Sequence, residues 1–344
     1  MTFNLSDYVA ALPKVELHVH LEGSMSPTTL FELASKNKIE LPFNNTAALQ
    51  AASKYENFMQ FASMLLLHSR VLRTKQDFSH VVYRLGQALQ RQNVRYAEVI
   101  WAPQLHLRKG IPINELLSSM NHGRARVREE FGIEMRWIVD LVRRYPEVAS
   151  KVQQWASSDS AHNSGIVALG LGGPEQGLDV VPFAPIFAAA KNCGLRSNPH
   201  AGEDGDANDI WRAIKLLKAD RIGHGIRAVD DPSLLSFLAH KRIPLEVCLT
   251  SNLRLSLVKS YRQHPLARLV EAGCVVTLNS DDPGLFHTTL NEEYAHAIEN
   301  CGLTLEQLRT LTLNGVAASY LPPFEKDNLS ELFSAEIARL PLPH

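Results

Sequence analysis

The sequence predicts an α/β protein in which eight parallel strands close into a (β/α)8 TIM barrel. Two observations support this fold class. Between residues 15 and 318, eight short apolar segments alternate with helical patterns, and the length of 344 residues suits one large barrel. No change of composition, linker or low-complexity stretch interrupts the chain. We therefore expect residues 1–344 to form a single domain.

The predicted strands are short apolar segments that end near polar residues. The first begins at Val15, carries His18 and His20 between apolar neighbours, and is closed soon afterwards by Gly23. The other seven cover residues 95–101, 134–140, 166–170, 195–200, 220–223, 244–248 and 274–279. An open, doubly wound sheet is the alternative architecture, but no GxGxxG turn follows the first strand.

Helices are predicted in the connections between the strands. The first has Ser26 as its N-cap and Pro27 at its first position, and it runs to Lys36. Residues 41–54 are polar and mixed, which predicts a loop, whereas residues 55–72 place large apolar side chains on one helical face and could form the wall or lid of a pocket. The remaining helices are predicted near residues 76–92, 113–131, 146–157, 183–192, 207–218, 232–240, 265–272, 290–300, 305–318 and 329–339.

The bulk composition excludes several classes of protein. Hydrophobic residues make up 45% of the chain and charged residues 21%, as in ordinary globular proteins. The net charge of −1 gives no electrostatic support for nucleic acid or a membrane as a partner. Neither a signal peptide nor a spanning apolar run is evident, so we expect a cytoplasmic location. The four cysteines are scattered, which predicts reduced core thiols (Cys193, Cys248, Cys274 and Cys301).

Histidines and carboxylates gather where the predicted strands end, which is where the active sites of such barrels lie. His18 and His20 are two residues apart on a strand and therefore point to the same face. The strand-end residues are His18, His20 and Glu22 on the first strand, His200 and Glu203 on the fifth, His224 on the sixth, and Asp281 and Asp282 on the eighth. Any one of these has an ordinary structural explanation, but their joint placement predicts a metal-dependent enzyme.

Three histidines and one carboxylate form a donor set that suits zinc. The candidate ligands are His18, His20, His200 and Asp281. A zinc ion bound there can lower the pKa of a water from about 15.7 to about 7, which supplies a nucleophile at neutral pH. His224 is the natural base or electrostatic stabiliser for that water, and Glu203 could donate a proton to a ring nitrogen of the substrate.

Five segments of the chain carry a resemblance to a known family. They are KVELHVHLEGS (14–24), PHAGE (199–203), RIGHGI (221–226), CLTSN (248–252) and TLNSDDPGLF (277–286). In order and in content they strongly resemble the adenosine/adenine deaminase family of the amidohydrolase superfamily. The resemblance implies an amidohydrolase-type barrel with additional helices and one zinc ion per subunit. It also implies hydrolysis of a 6-aminopurine, a small-molecule substrate, to the 6-oxo compound and ammonia.

The resemblance also implies a role for individual residues. His18, His20, His200 and Asp281 would bind zinc, Glu203 would donate a proton to purine N1, and His224 would orient or deprotonate the water. The predicted substrate-binding residues are His20, Glu22, Gly173 and Asp282, with the Gly173 N–H directed to N3 and Asp282 to N7. Superfamily relatives with two metals often bridge them with a modified lysine at the end of the fourth strand. The fourth strand of this chain has no lysine, which favours a single metal.

Two departures from the family pattern concern the substrate. Glu22 stands where adenosine deaminases usually have Asp, and Gly170 begins a GLGGPE segment where the family commonly has an Asp-Leu-Ala-Gly-Asp-Glu type segment. Both leave the deamination chemistry intact and leave open the group attached at purine N9. The predicted order of substrates is adenosine or 2′-deoxyadenosine, then a 5′-modified adenosine such as 6-amino-6-deoxyfutalosine, then free adenine.

Two other functional classes remain as alternatives, and the oligomeric state stays open. One is an amidohydrolase that opens a cyclic amide, but Glu203 and Asp282 suit a heteroaromatic ring with nitrogens to bind. The other is a non-catalytic binding protein on the same scaffold. Such a protein would be expected to lack one or more site residues or to carry a secretion signal.

Overall fold

The computed structural model, which describes residues 4–107 and 110–343, is a barrel of eight parallel strands that pair in chain order. The strands are β1 (Lys14–His20), β2 (Val94–Trp101), β3 (Glu134–Val142), β4 (Ile166–Gly172), β5 (Arg196–Ala201), β6 (Ile222–His224), β7 (Leu245–Val247) and β8 (Val276–Leu278). The barrel closes beside β8, where the Asp281 N–H donates to the His18 carbonyl at 2.9 Å and the His20 N–H to the Asp281 carbonyl at 2.8 Å. The predicted fold class is confirmed.

Helices fill the connections and surround the sheet. They are α1 (Leu5–Ala11), α2 (Pro27–Lys36), α3 (Thr46–Ala52), α4 (Phe58–Val71), α5 (Lys75–Gln90), α6 (Ile113–Phe131), α7 (Pro146–Ala156), α8 (Asp159–Asn163), α9 (Ala184–Asn192), α10 (Ala207–Leu216), α11 (Pro232–Lys241), α12 (Leu249–Arg254), α13 (Leu266–Glu271), α14 (Pro283–Phe286), α15 (Leu290–Glu299), α16 (Leu305–Ala318) and α17 (Pro323–Arg339). Within the described ranges, none of them is long and apolar enough to cross a membrane.

Local capping signals predicted the long helices well. The Ser26 hydroxyl accepts a hydrogen bond from the Thr29 N–H at 3.2 Å, and Pro27 occupies the first position of α2, as predicted. Helix α6 covers the predicted residues 113–131. It ends at Gly132, whose φ of 69° places it in the left-handed conformation typical of a helix C-terminus.

Short elements account for most of the wrong predictions. The predicted loop at 41–54 contains α3, which begins where the Asn45 side chain accepts the Ala48 N–H at 2.9 Å. Helix α17 begins at Pro323, six residues before the predicted start, and α1, α8, α12 and α14 were not predicted. These four helices span only four to seven residues, so they contain too few turns for a clear periodic pattern. Strands β6, β7 and β8 are three residues each, shorter than predicted.

The cysteine prediction is confirmed at three of four positions. All four side chains are free thiols, and Cys248, Cys274 and Cys301 are buried. Cys193 is exposed instead of buried, because it immediately follows the last turn of α9 at the protein surface.

Candidate metal centre and active site

The four predicted metal ligands meet at the closure of the barrel, and their donor atoms lie within 4.8 Å of one another. The Nε2 atoms of His20 and His200 are 3.2 Å apart. Asp281 Oδ1 lies 3.3 Å from His20 Nε2 and 3.5 Å from His18 Nε2. Three imidazole nitrogens and one carboxylate oxygen therefore face a common point, although they come from β1, β5 and the segment that follows β8.

The chemical state of these groups fits a divalent cation. Burial lowers the pKa of His20 to about 4 and that of His200 well below its ordinary value, so both rings are neutral and can act as ligands at pH 7. Burial would raise the pKa of Asp281, but the adjacent His18 imidazole and the other nearby histidines hold it well below the usual range. Burial would lower the pKa of His18, but Asp281 and Glu246 outweigh it and hold that pKa well above its ordinary value, so metal binding at Nε2 would displace a proton from this ring. His18 Nε2 is buried and makes no hydrogen bond within the described residues. This nitrogen-rich set with one anionic oxygen suits zinc.

Two residues of the site have unusual backbone conformations. Asp281 has a φ of 62° and His224 a φ of 60°, both in the left-handed region that costs a residue other than glycine roughly 1–3 kcal/mol. His224 is the last residue of β6, and Asp281 lies three residues after the end of β8, where it forms an isolated bridge to Val19 on β1. The backbone conformation at these two strand ends therefore helps to direct both side chains toward the metal centre.

Glu246 fixes the orientation of His18, one of the candidate ligands, from inside the barrel. Its Oε2 lies 2.7 Å from His18 Nδ1, and Asn198 and Arg221 also donate to its carboxylate. Burial opposes ionisation of Glu246, but the Arg221 charge outweighs it and lowers its pKa to about 2. An ionised carboxylate can only accept, so His18 donates from Nδ1, and Nε2 is the nitrogen that a bound metal would contact. Sequence analysis missed Glu246. The feature that could have identified it is a carboxylate within an otherwise apolar predicted strand.

His224 and Glu203 lie beside the ligand cluster, as predicted. His224 Nε2 is 3.6 Å from Glu203 Oε1 and 3.8 Å from Asp281 Oδ2. Asn252 holds the other side of the ring, with its amide nitrogen 3.3 Å from His224 Nδ1. Burial lowers the pKa of His224 to about 3, so the imidazole is neutral at pH 7 and can accept a proton.

Glu203 is held in place by a second glutamate that the sequence analysis did not assign. The two carboxylate oxygens of Glu175 accept the backbone N–H groups of Gly202 and Glu203, at 2.7 and 2.8 Å. Burial, reinforced by the charge of Asp281, raises the pKa of Glu203 well above its ordinary value. Burial therefore favours the protonated form of this carboxyl group, which is the form that a general acid requires.

The predicted substrate-binding residues His20, Glu22, Gly173 and Asp282 line one cavity, together with His200 and Asp281 of the candidate metal centre. The volume of this cavity is about 170 Å³, over ten times the roughly 10–15 Å³ that one water needs. Asp282 Oδ1 is buried and has no hydrogen-bond partner within the described part of the chain. A Cβ at Gly23 would lie only 1.6 Å from this oxygen, so glycine is required there for Asp282 to approach.

Glu22 is engaged by the protein at one of its two oxygens. Its Oε1 accepts hydrogen bonds from His106 Nε2 at 2.7 Å and from the Ala102 N–H at 3.2 Å. Burial opposes ionisation, but His106 outweighs it and lowers the pKa of Glu22. His106 is a further residue that sequence analysis missed, because it lies in a connection between strands and belongs to none of the family segments.

Helix α4 forms one wall of the cavity, as predicted for residues 55–72. Phe58, Phe61 and Leu65 face the cavity, while Met59 and Leu66 stand at its mouth with 52% and 45% of their surface exposed. Further lining residues come from outside α4 and are Leu105, Val142, Arg144 and Tyr145. Closure of α4 as a lid stays a prediction.

Comparison with known proteins gives consistent results. The family model described as adenosine deaminase matches residues 13–335. The chain is 40% identical over 319 residues to a Streptomyces avermitilis protein named aminodeoxyfutalosine deaminase, covering 92% of this chain and 89% of that one. It is 38% identical over 315 residues to an adenine deaminase of Stutzerimonas stutzeri, covering 91% and 99%. A crystal structure of a Burkholderia ambifaria amidohydrolase with bound Zn matches with a TM-score of 0.88 and 26% identity, covering 97% and 92%.

Proposed function

The chain belongs to the adenosine deaminase family of amidohydrolases, and from this premise we propose that it is a zinc-dependent deaminase of a 5′-modified adenosine. The proposed substrate is a 6-aminopurine nucleoside with a bulky 5′ substituent, such as 6-amino-6-deoxyfutalosine. The sequence-based order placed adenosine first. The names of the relatives, aminodeoxyfutalosine deaminase and adenine deaminase, support the two alternatives better.

The shape of the cavity is the observation that carries this choice. One continuous cavity extends from Glu203 and Asp282 at the metal centre to Met59, Leu66 and Arg144 at the mouth. A purine bound at the metal centre would fill only the inner part of this cavity. The apolar wall and the exposed arginine beyond it suit a large substituent that combines an apolar body with a negative charge.

The order of strands around the barrel supports the proposed position of the purine. Glu203 follows β5 and Asp282 follows β8, so the two carboxyl groups flank the ligand cluster on different sides. In a 6-aminopurine, N1 and N7 flank C6 in the same way. Placing C6 at the metal centre therefore lets Glu203 contact N1 and Asp282 contact N7, while Gly173 at the end of β4 contacts N3.

The residues of the site divide the proton transfers of the reaction between them. A bound divalent ion would supply a water of lowered pKa. His224 accepts one proton from the water that adds to C6 and delivers it to the amino group. Glu203 gives its proton to N1. When the C6–N bond breaks and ammonia leaves, the remaining proton on the C6 oxygen returns to Glu203, so both protons of the water are accounted for.

Free adenine is the second candidate substrate. The Stutzerimonas relative named adenine deaminase covers the chain about as fully as the aminodeoxyfutalosine deaminase does. One zinc ion per subunit, the cytoplasmic location and the single-domain organisation stay predictions alongside this proposal.

A substrate panel tests the proposal. Adenine, adenosine, 2′-deoxyadenosine and 6-amino-6-deoxyfutalosine are compared by kcat/KM, from ammonia release and purine absorbance, with total metal analysis of the same preparation. We expect the highest kcat/KM for the 5′-modified nucleoside. A maximum with adenine would instead establish the second candidate. Absence of ammonia release from every 6-aminopurine by zinc-loaded protein would refute the deaminase proposal altogether.

A further inference from the structure

Asp140 is a buried carboxyl group in the cavity that neither the sequence motifs nor the proposed reaction assigns. It lies on β3, is 4% exposed, and lines the same cavity as Glu22 and Gly173. Its Oδ1 has no hydrogen-bond partner within the residues that the structure describes. Buried polar atoms in proteins are normally paired, so an unpaired one in a ligand cavity points to a partner on the ligand.

We propose that Asp140 is a substrate-binding residue that accepts a hydrogen bond from a sugar hydroxyl, and that it makes the enzyme prefer nucleosides to free adenine. This inference rests on the proposed function, because it takes the orientation of the purine from it.

The neighbouring strand is built to receive this side chain. Asp140 pairs with Gly170 on β4, and Val142 pairs with Gly172. A Cβ at Gly170 would lie 2.4 Å from Asp140 Oδ1, and one at Gly172 would lie 2.2 Å from Asp140 Oδ2. The family pattern commonly has Asp at the position of Gly170. In this chain, therefore, a carboxyl group reaches the cavity from β3 and occupies space that the two glycines leave open on β4.

The protein does little to stabilise the charge of this carboxylate. Burial raises the pKa of Asp140 to about 8, and the nearby His18 and Arg143 only partly oppose that effect. A donor on the substrate would supply the hydrogen bond that Oδ1 lacks. Sugar hydroxyls are such donors, and both protonation states of Asp140 retain an oxygen that can accept.

The position of the purine places the sugar next to Asp140. If Gly173 at the end of β4 contacts N3, the adjacent N9 faces the part of the barrel between β4 and β1. Asp140 on β3 and Glu22 after β1 are the carboxyl groups that line the cavity there. Oε1 of Glu22 already accepts two hydrogen bonds from the protein, whereas Oδ1 of Asp140 accepts none. The sugar at N9 therefore lies within reach of an acceptor that has no other partner.

The test compares Asp140→Ala and Asp140→Asn with the parent enzyme on adenine, adenosine, 2′-deoxyadenosine and 3′-deoxyadenosine. Loss of the hydrogen-bond partner of a buried polar group changes binding by roughly fivefold to a hundredfold. For Asp140→Ala we expect kcat/KM for adenosine to fall by about that factor, mainly through KM, with adenine changed less than about threefold. Asp140→Asn keeps an accepting oxygen and should lose less. The deoxynucleoside that lacks the bonded hydroxyl should already have a lower kcat/KM than adenosine with the parent enzyme. Asp140→Ala should lower that value no further.

Gly170→Ala provides a matched variant that displaces the carboxyl group without removing it. It should show the same selective loss for nucleosides, and combining it with Asp140→Ala should add little. An equal loss for adenine and adenosine would assign Asp140 a structural role and overturn the inference. So would an unchanged kcat/KM, or a larger loss for adenine. A parent enzyme inactive on all 6-aminopurines would instead refute the proposed function, so the two failures are distinguishable.

Discussion

Replacement of Glu203 by Gln is the sharpest perturbation of the proposed chemistry. The amide has nearly the shape of the carboxyl group and can still hydrogen-bond to purine N1, but it cannot transfer a proton. Glu203 is 5% exposed, and Glu175 fixes its backbone through two hydrogen bonds, so we expect the substituted side chain to keep its position.

The magnitude follows from the isolation of this group. A positioned general acid contributes about 10²–10⁴-fold to the rate, or about 2.7–5.5 kcal/mol of barrier. Because burial shields Glu203 from bulk water, solvent cannot replace its proton. Two other carboxyl groups in this cavity have strongly raised pKa values, but Asp282 is placed toward N7 and Asp140 toward the sugar, so neither faces N1. We therefore expect kcat to fall by about 10³–10⁴-fold, with KM changed by less than about threefold.

The assay is steady-state ammonia release on the best substrate of the panel, with metal content measured on the same protein. Because Glu203 is not one of the four ligands, the variant should contain as much metal as the parent. A loss of less than tenfold in kcat would refute the proton-donor role. A variant that loses its metal would show that Glu203 supports the metal centre instead.

Three further predictions follow from the geometry. Glu246→Gln removes the carboxylate that orients His18 and should weaken metal binding by about 10–100-fold in a chelator competition; unchanged affinity would contradict the positioning role. Burial lowers the pKa of His68 to about 3. Between pH 6.5 and 3, the unfolded chain therefore binds a proton at His68 that the folded protein does not bind. The free energy of unfolding should therefore fall with acidification, by up to about 1.4 kcal/mol per pH unit from this group, and His68→Leu should flatten that slope in urea titrations. Gly23→Ala places a Cβ against Asp282 and should lower kcat/KM at least about 100-fold, whereas near-parental activity would show that Asp282 is not needed in its present position.

Much of the fold, and the candidate residues that face the metal centre, could be predicted from local sequence. Period-two and helical patterns located the eight strands and the long helices, because each pattern is set by which face of one element is buried. The candidate ligands were found because active-site residues of such barrels lie at strand ends, and strand ends can be located along the chain. Helices of four to seven residues were missed, since they contain too few turns to show a period.

The sequence by itself determined the barrel and the set of candidate residues, namely the four proposed ligands and the pair formed by Glu203 and His224, since motifs at strand ends encode their positions locally. Only the tertiary structure decided which side chains support or extend that site. Glu246 meets His18 across 228 positions of the chain, and Asp140 reaches the cavity only because Gly170 pairs beside it on the next strand. Such contacts depend on the register between strands and the closure of the barrel. These are properties of the folded chain as a whole, and no single segment of the sequence carries them.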